Sequence, residues 1–148
     1  MYETILIPTD GSDGVQRAID HGIDVADRYD ATVHALSVID VAQLLELGYT
    51  GGRADFEATI EPLEGEAKRA VEAVRERADQ RDVDVVPVVR QGEPYETIVE
   101  YLEEADVDLI VMGTHGRRGL QRHILGSVTE RMMRTVDVPV LTVRMPRE

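Results

Sequence analysis

Thr4-Ile5-Leu6-Ile7-Pro8-Thr9-Asp10-Gly11-Ser12-Asp13-Gly14 is the stretch that decides how the rest of the chain is read. Its first five residues form a β-rich apolar run, and the six that follow are a cluster of turn formers. Beyond them Val15, Ala18, Ile19, Gly22 and Ala26 recur at helical spacing, with Ser12 or Asp13 available as N-cap. Strand, turn and helix follow in that order. The pattern then repeats with Thr32 to Val38 as a second strand. A Gly-containing stretch from Asp40 to about Ala54 leads into a long amphipathic helix whose apolar face reads Ile60, Leu63, Ala67, Ala70, Val71, Val74 and Ala78. Pro62 marks a kink or the start of that helix.

Val83 to Val89, nearly all valine, reads as a third strand buried on both faces. Gln91-Gly92-Glu93-Pro94 turns the chain. Tyr95, Ile98, Val99, Leu102 and Ala105 then define a third helix with proline in its first turn. Val107 to Met112 is the fourth strand, a helix follows from about Ser127 to Thr135, and Val138 to Val143 is the last strand. Five strands alternating with four helices predict a single α/β domain over residues 1–148. The architecture is a Rossmann-like, doubly wound parallel sheet with right-handed crossovers. In such sheets ligands bind beyond the carboxyl ends of the strands, where the winding reverses. Only the loops after the first and fourth strands are rich in Gly and small polar residues. If those strands are neighbours, as in the order 3-2-1-4-5, both loops converge on one crevice.

The 148 residues suffice for one domain that buries roughly 70% of its unfolded surface. Sixteen basic and twenty-nine acidic side chains give a net charge of −13. Such a surface repels phosphate backbones and anionic lipids, so no nucleic-acid or membrane partner is expected. The absence of cysteine excludes disulfide scaffolds, thiolate metal sites and thiol catalysis. No apolar stretch approaches the roughly 20 residues needed to span a bilayer. The N-terminus has neither a basic start nor a long apolar run, and a cytoplasmic protein is expected. Lys68 is the only lysine, and the arginine-biased, acidic surface suggests a salt-rich, halophilic cytosol in which screening weakens self-repulsion. The charge is also uneven: residues 1–112 carry net −17 and residues 113–148 net +4.

That positive quarter opens with Gly113-Thr114-His115-Gly116-Arg117-Arg118-Gly119-Leu120-Gln121-Arg122-His123-Ile124-Leu125-Gly126-Ser127. Its glycines let the backbone bend tightly and turn N–H groups toward an anion. The helix that follows adds unpaired N–H groups and the positive end of its dipole, and the Ser127 hydroxyl can donate. Three arginines and no carboxylate lie between Gly113 and Gly126, which points to a phosphate site. Neither GxxxxGK[ST] nor GxGxxG is present. His115 and His123, eight apart with no carboxylate between them, make a poor metal site, and His21 and His34 are read as structural.

The segment matches Gly-x2-Gly-x9-Gly-Ser at Gly113, Gly116, Gly126 and Ser127, which resembles the ATP-binding signature of the universal stress protein family. The likeness extends to the Ile-Leu-Ile-Pro-Thr-Asp-Gly-Ser opening, Ser37-Val38-Ile39-Asp40, the run from Val107 to Gly116, and Val138-Pro139-Val140-Leu141-Thr142-Val143. It implies that Gly113, Gly116, Gly126, Ser127 and the amide of Val128 hold ribose and phosphates. Asp10 would face the ribose and the backbone of Val38 the adenine edge. Pro8, Thr9, Arg117 and Thr129 complete the implied nucleotide-binding set. The implied ligand is ATP, or ADP or AMP, with Mg²⁺ or Mn²⁺ carried on the phosphates and no protein metal ligand. A homodimer through Val138 to Val143 is implied as well.

No general base is placed beside the phosphates, so a regulator that binds ATP and biases the segment from Asp40 to Ala54 is expected, with little or no hydrolysis. The alternatives are an adenylating or ATP-pyrophosphatase-type enzyme on the same architecture, marked by release of AMP and pyrophosphate, and a dimeric interaction module without nucleotide. A flavin carrier is disfavoured, because none of the six aromatic residues falls in the two crevice loops.

Overall fold

The computed structural model describes residues 1–41, 52–114 and 124–144. Strand β1 (Thr4–Pro8) leads through a 3-10 turn (Asp13–Val15) into helix α1 (Gln16–Tyr29), and β2 (Thr32–Ile39) follows. Helix α2 (Arg53–Asp79), β3 (Val85–Gln91), α3 (Pro94–Glu104), β4 (Leu109–Gly113), α4 (Ile124–Thr135) and β5 (Val140–Val143) complete the order. The sheet runs β3-β2-β1-β4-β5 with every neighbouring pair parallel. This is the doubly wound α/β arrangement expected from the two glycine-bearing loops, and it places β1 and β4 side by side.

Alternation along β1 divides the interior into two layers. Ile5 and Ile7 point into a cluster with Val15, Ile19 and Ile23 of the first βα unit and Val71 and Val74 of α2. Leu6 points the other way, into Leu36, Ile98, Leu102, Ile110, Met112 and Met132 beneath α3 and α4. A central strand covered on both faces must be apolar at every position, which is why Ile5-Leu6-Ile7 shows no polar alternation. The third strand does not fit that rule. Val86 is 41% exposed and Pro87 is also exposed, because β3 is an outer strand with a neighbour on one side only. Its valines reflect β-propensity, and the expectation of burial on both faces is corrected.

Strands β3, β4 and β5 each start two residues later than read, at Val85, Leu109 and Val140, and helix boundaries also differ from the sequence reading. Helix α2 starts at Arg53, so Pro62 lies inside it and is not its start. The front of α2 rests on a small separate cluster in which Ile39, Ile60 and Ala67 are joined by Val41, Phe56, Leu63 and Val89. Helix α4 starts at Ile124, which places Gly126 and Ser127 within its first turn. Ser12 precedes the 3-10 turn with no side-chain capping bond, and α1 begins only at Gln16. By contrast, Pro94 opens α3 as read, with the Glu93 carboxylate accepting from the Glu96 amide at 2.7 Å. Among the described residues no helix is long and apolar enough to cross a membrane.

Helix α1 approaches the sheet closely at Gly22. A Cβ there would lie 2.4 Å from Ile7 Cδ1 and 3.6 Å from Val111 Cβ. Gly22→Ala is therefore expected to destabilise despite the better helix propensity of alanine. Trimming Ile7 to valine removes the offending methyl and costs about 0.5–1.5 kcal/mol alone. The double variant is expected to lose less than the sum of the two single losses in urea unfolding. Strict additivity would show that the two sites do not touch.

Candidate functional site

The crevice forms where the windings diverge, at the carboxyl ends of β1 and β4. Leu6 lies opposite Ile110 in the ladder, and continuing that register sets Thr9 level with Gly113. The Thr9 amide donates to the Leu36 carbonyl at 2.8 Å, extending the β1–β2 ladder one residue past the strand. Its hydroxyl accepts from the Gly11 amide at 3.1 Å, and Asp10 Oδ1 accepts from the Ser12 amide at 2.9 Å. These two local bonds wind the chain into a tight Asx-type turn, with Gly11 at φ +78°. Glycine is needed twice over at that position, since a Cβ would also lie 3.2 Å from Ala70 Cβ of α2.

Gly113 forms the opposing wall. A Cβ on it would sit 3.1 Å from the Gly14 carbonyl oxygen and 3.6 Å from Val15 Cα, so the two loops touch backbone to backbone. The buried Thr129 hydroxyl donates to the Gly113 carbonyl at 3.0 Å and ties α4 to the end of β4. The Thr114 amide donates to the Val143 carbonyl at 3.1 Å, which ties β5 to the same point.

Pro8, Thr9, Asp10, Gly113 and Thr129 are thus brought together. Val38 stands farther along β2, opposite Arg90, with its side chain packed against the α3–α4 layer. Val128 turns its side chain into that same layer, leaving only its backbone for the role implied by the sequence. Ser127 is exposed in the first turn of α4. Gly126 belongs to the same turn. Gly116 and Arg117, like the other arginines and histidines between residues 115 and 123, lie outside the described residues.

A second set of residues fixes the β1 loop from behind and leaves no mark in the sequence. Gln16 Nε2 donates to the Ser12 carbonyl at 3.3 Å, and Gln16 Oε1 accepts from Arg77 of α2. Arg77 also pairs with Asp20 at 3.0 Å, and Arg81 pairs with Asp24 at 3.1 Å and Asp27 at 2.7 Å. The hydrogen bonds from Arg81 and then Arg28 hold the Asp24 carboxyl below the usual range. These pairs are well exposed and individually weak, so their contribution is alignment of α1 with α2. His34 has the structural setting read for it: its Nδ1 lies 2.6 Å from the Tyr101 hydroxyl, and burial lowers its pKa.

A groove of about 850 Å³ lies elsewhere, along α2 from Phe56 to Lys68 and against Gln91 of β3. Glu57, Glu61 and Glu64 outnumber Lys68 there, which opposes phosphate binding. Among the described residues no three His, Asp or Glu side chains converge to hold a metal ion.

Fold and crevice together define a doubly wound α/β protein with a backbone-walled cleft at its switch point. The profile of the universal stress protein family matches residues 1–144, and the chain belongs to that family. It is 39% identical, over its whole length and 85% of the relative, to universal stress protein MJ0531 of Methanocaldococcus jannaschii. The solved structure of protein MJ0577 from the same organism superposes with a TM-score of 0.81, at 30% identity over 100% of this chain and 99% of that one. A universal stress protein crystallised in complex with cAMP gives a TM-score of 0.66 at 26% identity, over 97% of both chains.

Proposed function

We propose that this protein binds adenine nucleotide, ATP above all, between the loops after β1 and β4, and acts as a nucleotide-sensing regulator of a stress response. The observation that carries the reading is the close approach of Gly113 to the Gly14 carbonyl, which leaves no room for a side chain where the loops after β1 and β4 meet, with Thr129 of α4 bonded to the same residue. Phosphate oxygens approach most closely where no Cβ intervenes and N–H groups lack partners. The cAMP complex of a relative supports an adenine nucleotide as the ligand class. In this reading Asp10 takes ribose hydroxyls, since a carboxylate only accepts. The Val38 backbone meets the adenine edge, and Gly116, Arg117, Gly126, Ser127 and the Val128 amide serve the phosphates. Mg²⁺ or Mn²⁺ arrives on the phosphate oxygens. The complex is held in the cytoplasm without appreciable turnover.

Strand β5 supports the accompanying dimer. It is an outer strand with Val140, Leu141 and Thr142 only half-buried, and pairing with a second copy across a two-fold axis covers that edge.

Calorimetric titration of the purified protein with ATP and Mg²⁺ tests the reading. Saturable binding is expected, with no phosphate released over hours and at least a tenfold loss of affinity in Gly126→Val, because a branched side chain would occupy the helix turn meant for phosphate. Absence of binding, or an unchanged affinity in the variant, overturns it.

A further inference from the structure

We propose that the Ser12 hydroxyl is a ligand group of the crevice, donating a hydrogen bond to an acceptor oxygen of the bound nucleotide; the assignment rests on the nucleotide reading above. Among the described residues Ser12 Oγ is the side-chain oxygen that exposes less than 1 Å² and has no hydrogen-bond partner. Native proteins rarely leave such a group unpaired, because its lost hydration is not recovered. Sequence position suggests an N-cap, yet no capping bond is made.

The rest of Ser12 is fully engaged. Its amide donates to Asp10 Oδ1, and its carbonyl accepts from the Val15 amide and from Gln16 Nε2, both at 3.3 Å. Gln16 is braced in turn by Arg77. The backbone at φ −74° and ψ 162° is therefore pinned, and the Cα from which the hydroxyl projects is fixed in place. What remains is a donor fixed between Asp10 and the 3-10 turn that abuts Gly113, at the meeting of the two crevice loops. Donor and acceptor types divide sensibly: the Asp10 carboxylate suits groups that donate, and the Ser12 hydroxyl suits phosphate or sugar oxygens that accept.

The test compares wild type, Ser12→Ala and Ser12→Thr by thermal unfolding and by calorimetric titration with ATP and with adenosine. Without nucleotide, Ser12→Ala is expected to melt about 2–4 °C higher, because an unpaired buried hydroxyl has been removed. The same variant is expected to bind ATP roughly tenfold more weakly, while Ser12→Thr, which keeps the hydroxyl, binds within about twofold of wild type. Adenosine affinity unchanged in Ser12→Ala assigns the bond to a phosphate oxygen, and adenosine affinity reduced as much as that of ATP assigns it to a sugar oxygen. ATP binding equal to wild type in Ser12→Ala overturns the proposal, whatever the melting temperature does. Failure of the wild type itself to bind ATP defeats the nucleotide reading, and this assignment with it, so the two failures are told apart in the same experiment.

Discussion

Leu6→Ala is expected to remove about 2–5 kcal/mol of folding stability, a large share of the roughly 5–15 kcal/mol typical of a domain this size. Leu6 is fully buried on the middle strand of five, between His34 of β2 and Ile110 of β4. Its side chain fills the layer closed by Ile98, Met112 and Met132. Such a site collapses poorly around a missing side chain, because ladder bonds on both sides hold the strand in place. The loss is read as a lower urea midpoint with the slope of the transition unchanged. A midpoint shift worth less than about 1 kcal/mol would show that the layer is loosely packed at its centre.

Gly113→Val is expected to cost both stability and ligand. At Gly22 the obstacle to a side chain is the tip of an isoleucine, which can turn aside; at Gly113 it is the Gly14 carbonyl and the Val15 backbone, which cannot. The branched side chain has to drive the β1 loop away from β4, at about 1–3 kcal/mol for the strain. It also displaces the carbonyl on which Thr129 anchors α4. Because the crevice is the space between these same two loops, ATP affinity is expected to fall by at least tenfold in titration, equivalent to about 1.4 kcal/mol. Stability lost with affinity intact would mean that the nucleotide is held elsewhere.

Much of this architecture is legible before any coordinates. Strand β1 falls on the residues read for it, and the order 3-2-1-4-5, under which the two loops rich in small residues converge, is the one observed. Gly113 reads as the first glycine of an anion-binding loop, whereas its close approach to the Gly14 carbonyl depends on how the β1 loop lies against it. What escapes the sequence is what depends on distant partners. Val83 to Val89 reads as buried on both faces because valine content reports strand propensity and not how the faces are covered. Pro62 reads as a boundary because the helix bond it forfeits is local, whereas the packing of Ile60 and Leu63 that outweighs it is not. Ser12 reads as a cap because nothing nearby reveals that Asp10 takes its amide while its hydroxyl is left unpaired. The brace from Gln16 to Arg77 joins residues 61 positions apart and has no local signature.

Pro62 also leaves the front half of α2 one helix bond short. With no N–H to bond the preceding turn, it interrupts the run of helix bonds within the stretch from Phe56 to Ala67 that rests on the small cluster, ahead of the part that enters the deep interior through Val71, Val74 and Ala78. The front turns can open sub-globally while the rear keeps its place against α1.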